Sequence, residues 1–360
     1  MSGQIRKNDL WQISLRDPER VWMNTDIVIT WVDGSDPEWL SEKRKYRPED
    51  PTGNGRERYH EWGLLKYWFR CIEKNASWVR KIHFVTWDNV PEWLDVSNPR
   101  LHIVKHEDFM PQSAIPCFNS ALIERYLHKI PGLSEQFVYF NDDIYLLGKC
   151  GEGFFFRNGL PRDMLAFQPV VANPSNPVMS HHLMNDSLVL SKHFDKRTNV
   201  RKRPGAYFHP GYPPLYFFYN LLELAFPKFT GFYTVHSASP LLKSVFDEVW
   251  SREGEYLGSL DKNRFRDDTD VNQYLFREWG KLSGRFVPAN ITRHFKYFEL
   301  RDEQQKVLDI ISSAGKRSFL PDVKVMCLND TGLVHDENKV TGELIKAFNV
   351  RFGEKCSFEK

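Results

Sequence analysis

The sequence predicts an α/β protein with a mainly parallel sheet, helices on both of its faces and an inserted irregular subdomain. Apolar runs of buried-strand length alternate with segments of helical periodicity. The predicted order is strand, helix, strand, strand, helix, strand, which is typical of parallel strands joined by crossover connections. Several predicted strands also end in acidic or amide residues, at the edge where open α/β sheets bind ligands.

The first predicted strand covers residues 26–33, and the residues Gly34-Ser-Asp-Pro37 predict a turn directly after it. Residues 40–58 are charged and contain Pro and Gly, so they predict an exposed loop. Apolar residues at helical spacing predict a helix over 60–75. Further strands are predicted over residues 82–87, 101–104, 137–140 and 324–328.

A helix is predicted over 121–130, with Asn119 or Ser120 as its N-cap. Residues 154–235 are rich in Pro, Phe, Tyr and His without a clean period, which predicts the insertion. Helices are predicted over 241–250 and 303–313. The resulting division has an N-terminal extension, a first α/β half, the insertion and a second half, over residues 1–25, 26–150, 151–235 and 236–360.

Composition excludes several classes of protein. The 360 residues carry a formal charge of +2, which gives no electrostatic footprint for nucleic acid. The five cysteines form no CxxC pair, so neither a zinc site nor a disulfide framework is expected, and a reducing cytoplasm fits best. The first twenty residues lack the apolar region of a signal peptide, and no run of 18 apolar residues predicts a membrane-spanning helix. Peripheral contact with a membrane through a partner stays open.

Acidic strand ends are the strongest functional signal. Adjacent buried carboxylates repel each other, so the pair Asp142 and Asp143 calls for a cation, and Mg²⁺ or Mn²⁺ prefers such oxygen ligands. A plain turn that ends the strand is the alternative. Four predicted strands carry such an end, so their side chains are expected to meet on one rim of the sheet. These ends are Asp33, Asp88, Asp142 with Asp143, and Asn329 with Asp330.

Four blocks of the chain resemble the Stealth family of sugar-phosphate transferases. This family includes bacterial capsular polysaccharide phosphotransferases and the animal enzyme that tags lysosomal hydrolases with N-acetylglucosamine phosphate. The blocks occur in the family's order: Asp26 to Pro37, Glu61 to Asp143, His236 to Pro240 with Arg264 to Asp268, and Cys327 to Asp330. Position 33 is Asp where many relatives would carry Asn, and residues 150–235 follow the pattern loosely. The insertion is therefore a candidate for acceptor specificity.

The resemblance implies transfer of a sugar 1-phosphate from a nucleotide diphospho-sugar, such as a UDP-sugar, to a glycan hydroxyl. The products would be a phosphodiester of a capsular or cell-surface polysaccharide and a nucleoside monophosphate. Such chemistry needs positioning and charge neutralisation. It implies a divalent cation on Asp142, Asp143 and Asp330. It also implies phosphate contacts by Arg264 and Arg266, which would share one face of a strand, and His236 as the base.

The turn after the first strand is expected to lie under the nucleotide. Gly34 would allow close approach of the backbone, and Asp33 or Asp36 would hold ribose hydroxyls. Trp31 and Asn119 complete the expected nucleotide contacts. A plain turn in which Pro37 begins a helix stays open for Asp36.

Two other functions compete with sugar-phosphate transfer. A metal-dependent glycosyltransferase would use the same acidic strand end and the same donor, but it would release a nucleoside diphosphate. A non-catalytic nucleotide-sugar-binding module would bind the donor without turnover. The expected partners are the donor and a growing glycan, and lipid linkage of this glycan stays open. Association with membrane-bound capsule machinery is also open.

Overall fold

The computed structural model describes residues 24–47, 59–174, 176–313 and 322–360, and these contain eleven strands and twelve α-helices. The strands are β1 Thr25–Thr30, β2 Ile82–Thr86, β3 Leu101–Lys105, β4 Gln136–Asn141, β5 Ile144–Leu146, β6 Phe156–Arg157, β7 Leu160–Asp163, β8 Ser239–Leu242, β9 Val287–Pro288, β10 Phe295–Glu299 and β11 Val325–Asn329. The helices are α1 Pro37–Tyr46, α2 Leu65–Asn75, α3 Ser120–Tyr126, α4 Glu152–Phe155, α5 Pro177–His193, α6 Lys196–Lys202, α7 Pro204–Tyr207, α8 Pro214–Glu223, α9 Lys243–Ser259, α10 Gln273–Leu282, α11 Gln305–Ser312 and α12 Glu337–Phe352.

A five-stranded sheet with the order β3-β2-β1-β4-β8 forms the centre of the fold. Strands β1 to β4 pair in parallel, and β8 runs antiparallel beside β4. Two three-stranded sheets, β10-β11-β5 and β6-β7-β9, each contain one parallel and one antiparallel pair. The predicted α/β class is confirmed, but the sheets are mixed.

Helix α2 covers one face of the central sheet. Its residues Trp68, Phe69 and Ile72 are fully buried, because apolar residues at helical spacing form one stripe. The Trp68 ring contacts Phe140 of β4 at 5.7 Å, and the Phe69 ring contacts Phe84 of β2 at 5.9 Å. Burial of each such side chain contributes roughly 1.5–3 kcal/mol. This packing holds β2 and β4 in place, and the functional residues follow β4.

Helices α1 and α2 begin at residues other than those predicted, because capping residues determine where they start. Helix α2 begins at Leu65 rather than at residue 60, because the Glu61 carboxylate accepts hydrogen bonds from the N–H groups of Gly63 and Leu64. Helix α1 occupies residues 37–46, so the predicted loop is wrong there. Asp36 caps this helix, and Pro37 is its first residue. The rest of that predicted loop, residues 48–58, and residues 1–23 of the predicted extension lie outside the described residues.

The segment predicted as irregular contains four helices, α5 to α8. The prediction of irregular structure is wrong because helices were recognised in the sequence only by an apolar stripe at helical spacing, which normally faces a core. In α8 most apolar residues face outward, and the buried residues are Asn220 and Glu223. No helix in the described ranges is long and apolar enough to cross a membrane.

Candidate active site at the carboxyl end of the central sheet

Strand register brings the candidate residues together. Thr30 of β1 pairs with Asn141 of β4, so both strands end at the same edge. The chain then turns at Asp142 and Asp143 into β5, whose residue Ile144 pairs with Cys327 of β11. The five-stranded sheet and the β10-β11-β5 sheet therefore meet at the turn that carries both carboxylates.

The antiparallel strand β8 supplies His236. Tyr139 of β4 pairs with Ser239 of β8. Since antiparallel neighbours run in opposite directions, the residues before β8 lie beyond the end of β4. His236, three residues before Ser239, is thereby placed beside the turn at Asp143.

A cavity of about 400 Å³ opens at this edge. Its lining is rich in charged and amide side chains, and it also includes a group of aromatic rings. The charged and amide residues include Glu61, Asn119, Asn141, Asp142, Asp143, His236, Arg266, Asn329 and Asp330. The aromatic residues include Trp31, Trp39, Tyr59, Trp62, Trp87, Phe118, Tyr274 and Tyr297. A cavity of this size and composition suits an elongated polar ligand with a ring system.

Asp143 joins two neighbours through one oxygen. Its Oδ2 lies 3.0 Å from His236 Nε2 and accepts a hydrogen bond from Cys327 Sγ at 3.3 Å. Burial raises the pKa of Asp143, but the charge and hydrogen bond of His236 outweigh this and hold the pKa below 3.8. Burial similarly lowers the pKa of His236, and the Asp143 charge outweighs it, so the net shift is upward from 6.5. Burial and Asp143 raise the pKa of Cys327 well above 9.0, so Cys327 is a neutral thiol donor.

Asp142 has the opposite electrostatic situation. Burial, followed by the charges of Asp143 and Glu61, raises its pKa to about 7. A carboxylate surrounded by like charges is destabilised unless a cation approaches it. Asp142 is thus the group in the cavity that most needs a positive partner.

Two buried oxygens beside Asp142 have no hydrogen-bond partner in the described part of the chain. They are Asn141 Oδ1 and Asp143 Oδ1. The Asn141 amide nitrogen donates to Tyr139 Oη at 3.2 Å, which fixes the orientation of that side chain. Carboxylate and amide oxygens without partners are the ligands that a hard divalent cation prefers, so the residues present fit Mg²⁺ or Mn²⁺.

Two further groups define the limits of such a site. Ligand atoms of Asp143, His236 and Cys327 lie within 4.8 Å of one another, but the Cys327 thiol is protonated and the His236 ring is bonded to Asp143. Asp330 lines the cavity, and its two oxygens accept hydrogen bonds from Trp62 Nε1 and Gly332 N. Oxygen atoms of residues 141–143 therefore suit the cation better than the sulfur does.

The turn after β1 has a structural role. Asp33 accepts hydrogen bonds from the backbone and hydroxyl of Ser35, and Asp36 caps α1. At Gly34, a Cβ would lie 2.1 Å from the carbonyl oxygen of Tyr59. Glycine is needed for close approach, as predicted, but the approaching backbone is the chain's own. Asp33, Gly34 and Asp36 do not line the cavity, whereas Trp31 does.

Not all of the acidic strand ends converge. Asp88 is exposed and paired with Lys105, away from the cavity, and Asp33 also lies outside the lining. The ends of β4 and β11 do meet, so the predicted convergence of four strand ends is wrong for two of them.

The two predicted arginines have different environments. Residues 264–266 form no strand, so the premise that their side chains share one strand face is wrong. Arg266 lines the cavity and donates to Ser120 Oγ at 2.8 Å. Arg264 lies outside the lining, donates to the Ile115 carbonyl oxygen at 3.2 Å and covers the Tyr46 ring.

Asn119 borders the cavity, but its side chain is fully buried and bonded. Its Oδ1 accepts from Ala121 N as the cap of α3, which confirms the predicted N-cap. Its Nδ2 donates to the Asn263 carbonyl oxygen at 2.9 Å and to Asp270 at 2.8 Å. Asn119 thus ties α3 to the loop that carries Arg266, which gives it a positioning role.

Sequence reasoning missed several lining residues. Tyr59, Glu61 and Trp62 come before α2 and do not follow a predicted strand. The search for polar residues at strand ends therefore could not identify them. Asn141 was visible as the first polar residue after β4, and its amide belongs with the two carboxylates. The strand-end pattern could have found Asn141, but it could not have found Glu61 or Trp62.

Comparisons with known proteins identify the family of the chain. The family model "Stealth protein CR1, conserved region 1" matches residues 24–50, and "Stealth protein CR2, conserved region 2" matches residues 58–163. The chain is 37% identical over 341 residues to the capsular polysaccharide phosphotransferase WcwK of Streptococcus pneumoniae, covering 94% of this chain and 99% of the relative.

Two other relatives have similar coverage. The receptor polysaccharide phosphotransferase WefC of Streptococcus gordonii is 35% identical, with 93% of this chain and 98% of the relative covered. The exopolysaccharide phosphotransferase cps2G of Lactiplantibacillus plantarum is 33% identical, with 93% and 96% covered. The predicted resemblance is confirmed, and the chain belongs to the Stealth protein family.

Proposed function

We propose that the chain is a polysaccharide phosphotransferase that moves a sugar 1-phosphate from a nucleotide diphospho-sugar, with uridine as the nucleoside, to a glycan hydroxyl. The product is a phosphodiester in a capsular or cell-surface polysaccharide, and a nucleoside monophosphate leaves. The observation that carries the proposal is the pairing of His236 with Asp143 at 3.0 Å, beside Asp142 and Arg266 in one cavity. The names of the relatives as polysaccharide phosphotransferases support it.

Asp143 orients His236 for proton transfer. Because the Asp143 carboxylate accepts from Nε2, it favours the neutral tautomer with the proton on Nε2. The lone pair is then on Nδ1, which has no hydrogen bond to the described part of the chain. His236 Nδ1 takes the acceptor hydroxyl proton, as a carboxylate-oriented histidine does in other general-base sites.

The bonds that change are all at one phosphorus atom. The acceptor oxygen forms a bond to the phosphorus next to the sugar, and the bond from that phosphorus to the nucleoside monophosphate oxygen breaks. The hydroxyl proton goes to His236, and the bond from the anomeric carbon to oxygen stays intact. Arg266, which lines the cavity, contacts a phosphate oxygen of the donor through its planar guanidinium.

A divalent cation, Mg²⁺ or Mn²⁺, would be held by Asp142 and by Oδ1 of Asp143 and Asn141, with Asp330 at the border of the site. When bound, it would neutralise charge on the donor phosphate oxygens. The pKa of Asp142, raised to about 7, and the two buried oxygens without partners support this assignment. The remaining oxygen of Asp143 keeps its bonds to His236 and Cys327.

The aromatic part of the cavity is proposed to hold the nucleoside. Trp39 packs on Tyr59 at 4.9 Å and on Phe118 at 5.7 Å, and all three rings line the cavity together with Trp31. Base stacking on such rings tolerates any base, so it contributes affinity more than base specificity. The parallel strands β1 to β4 would then act as a Rossmann-like or GT-A-like nucleotide-sugar-binding half over residues 26–150.

The remaining assignments concern the acceptor. We propose that residues 151–235 form its side of the site and that residues 236–360 complete the catalytic half. We also propose that the acceptor is lipid-linked and that the protein works at the cytoplasmic face of the membrane with the capsule machinery. The exposed surface of α8, within residues 151–235, supports the membrane part.

The experiment follows the phosphate next to the sugar. A UDP-sugar labelled at that phosphate is incubated with the protein and a glycan acceptor, and the products are separated. We expect the label in the acceptor product as a phosphodiester and uridine monophosphate as the free nucleotide. The same reaction with the Asp143→Asn variant controls for spontaneous breakdown.

The same assay decides between the competing functions. Label in uridine diphosphate, with a phosphate-free glycoside as product, would establish a glycosyltransferase instead. Donor binding with no turnover on any acceptor in a panel would favour the non-catalytic binding module.

A further inference from the structure

Helix α8 presents its apolar side chains outward. Six large apolar residues of α8 and the residue after it are 40–54% exposed, and of these Phe217 has a ring contact with Phe208 at 5.1 Å. They are Leu215, Phe217, Phe218, Leu221, Leu222 and Leu224. Contiguous exposed apolar surface of this kind marks an interaction site rather than ordinary surface.

Buried polar contacts fix this inverted orientation. Asn220 of α8 donates to the carbonyl oxygens of Leu165 at 3.1 Å and Tyr207 at 2.6 Å, and it accepts from Phe167 N at 2.6 Å. Glu223 pairs with Lys196 at 2.9 Å, and both side chains are buried. The helix is therefore held to the protein by its polar residues, so its apolar residues must face away.

The width of the apolar surface distinguishes between types of occupant. At about 100° per residue, the six exposed apolar positions span roughly 180° of the helix circumference. A helix that packs into a protein groove buries a stripe only about 100° wide. A lipid phase surrounds a helix from several sides, so it can cover the wider arc.

Charge around α8 favours an anionic surface. Residues 196–228 contain six Lys or Arg residues and one acidic residue, Glu223, which Lys196 neutralises. Lys196 also donates to the carbonyl oxygen of Lys228, so the start of α6 lies against the segment that follows α8. Four cations in this segment are exposed, namely Arg197, Arg201, Lys202 and Lys228. Cations beside an apolar helix are the pattern of interfacial binding to anionic lipids.

We propose that α8 inserts its outward face into an anionic lipid bilayer, with the exposed cations of α6 and Lys228 on the lipid headgroups. Insertion of α8 does not depend on the proposed function, whereas its consequence for the acceptor rests on that function. Tyr216 of α8 contacts Tyr233 at 4.3 Å, and the next residue, Thr234, lines the cavity with His236. Insertion of α8 therefore brings the cavity close to the membrane, where a lipid-linked acceptor presents its hydroxyl.

The test measures flotation of the full chain with vesicles of phosphatidylglycerol and phosphatidylcholine in equal amounts. We expect binding by the wild type, weaker binding to phosphatidylcholine alone and weaker binding in 0.5 M salt. The double variant Phe218→Gln, Leu222→Gln should bind at least tenfold more weakly, since neither glutamine gains free energy from burial in an apolar phase. The matched control is Val96→Gln, Val350→Gln, which removes two exposed apolar residues elsewhere and should bind like the wild type.

A second measurement does not depend on loss of binding. A Leu222→Cys variant labelled with an environment-sensitive fluorophore should brighten and shift to the blue with anionic vesicles. A Val350→Cys variant labelled in the same way should not. The five native cysteines are buried, so labelling is directed to the new site.

Three results would overturn the proposal. One is a wild-type chain that fails to bind anionic vesicles, as expected if residues outside the described ranges cover α8. Another is equal binding by the wild type and the α8 double variant. The third is concentration-dependent dimerisation of the wild type, lost in that variant, without vesicle binding, which would identify a second copy as the occupant. Vesicle binding needs no turnover, so Asp143→Asn should bind like the wild type, and failure here is separate from failure of the proposed function.

Discussion

Carboxylates lie at both ends of the central sheet, but the protein compensates their charge to different degrees. At the amino end, Asp26 of β1 accepts hydrogen bonds from Arg80 Nε at 2.9 Å and Ser134 N at 2.8 Å, and its Oδ2 lies 3.1 Å from His83 Nε2. Burial raises the pKa of Asp26, but the hydrogen bonds of His83 and Arg80 outweigh this and hold it below 3.8. This carboxylate is fully compensated by the protein.

At the carboxyl end, compensation is incomplete. The pKa of Asp142 rises to about 7 through burial and the charges of Asp143 and Glu61, and Oδ1 of Asp143 has no partner in the described part of the chain. Asp26 is fully buried, whereas Asp142 and Asp143 are partly exposed to the cavity, and the two ends also differ in the partners that the protein supplies. Uncompensated charge of this kind is retained where a ligand supplies the missing partner, which supports the proposed site at the carboxyl end and a structural role for Asp26 at the amino end.

Removal of divalent cations should have the largest effect at the carboxyl end. Excess chelator should abolish sugar-phosphate transfer, and Mg²⁺ or Mn²⁺ should restore it, because Asp142 lies beside like charges and Oδ1 of Asp143 has no partner in the described part of the chain. The thermal unfolding midpoint in chelator serves as the control and should show a folded chain. Full transfer activity in excess chelator would contradict the metal assignment.

Substitution of the paired residues should affect turnover rather than stability. Asp143→Asn and His236→Ala should each lower turnover at saturating donor by roughly 10²–10⁴-fold, the usual contribution of a positioned base. Donor affinity, followed separately, should change less. Asp88→Asn is the matched control, because Asp88 also follows a strand but lies exposed beside Lys105. Near-normal turnover of His236→Ala would mean that His236 is structural and that another residue is the base.

Substitution at the amino end should give the reverse result. Asp26→Asn should lower the free energy of unfolding by about 3 kcal/mol at neutral pH, because it leaves Arg80 and His83 without their carboxylate. The folded-state pKa of Asp26 lies below 3.8, so its contribution is fully present above that pH and is lost as pH falls through the lowered value. Denaturant unfolding at several pH values measures this. A difference from wild type that grew as pH fell would contradict the assignment.

Substitution of Arg266 and of Arg264 should have different effects on transfer activity. Arg266→Ala should weaken transfer roughly 10- to 100-fold, because a hydrogen bond to a charged group contributes about 1.5–3 kcal/mol. Arg264→Ala should have a smaller effect on transfer, since its side chain holds Ile115 and Tyr46 outside the cavity. The measurement is the ratio of turnover to KM for both variants. Equal losses, with both variants folded, would show that Arg264 also acts in the site.

The smallest effect is expected at α8. Leu222→Gln should change the free energy of unfolding by less than about 0.5 kcal/mol, because its side chain is already exposed to water. Leu190→Ala in α5 is the buried comparison, and it should cost about 2–5 kcal/mol. Denaturant unfolding without lipid measures both. A large loss of stability for Leu222→Gln would show that α8 packs against the protein in solution.

The α/β class, the strands β1 to β4 and the pair of carboxylates after β4 could all be predicted from the amino-acid sequence. Apolar runs that end abruptly in polar residues are local signals, and they do not depend on which strands become neighbours. The cap at Asn119 was visible for the same reason. The family resemblance, carried by four ordered blocks, was also correct.

Which of these residues contact one another depends on how distant strands pair. Strand β8 pairs antiparallel with β4, and this register brings His236 to Asp143. Strand β11 pairs with β5, which brings Cys327 to Asp143. Asp33 and Asp88 lie outside the cavity lining. Pairing between distant segments depends on how all elements pack together, and local periodicity carries no information about it. The orientation of α8 could not be predicted for the same reason. Asn220 and Glu223 face inward because they bond to Leu165, Tyr207 and Lys196, which are distant in sequence.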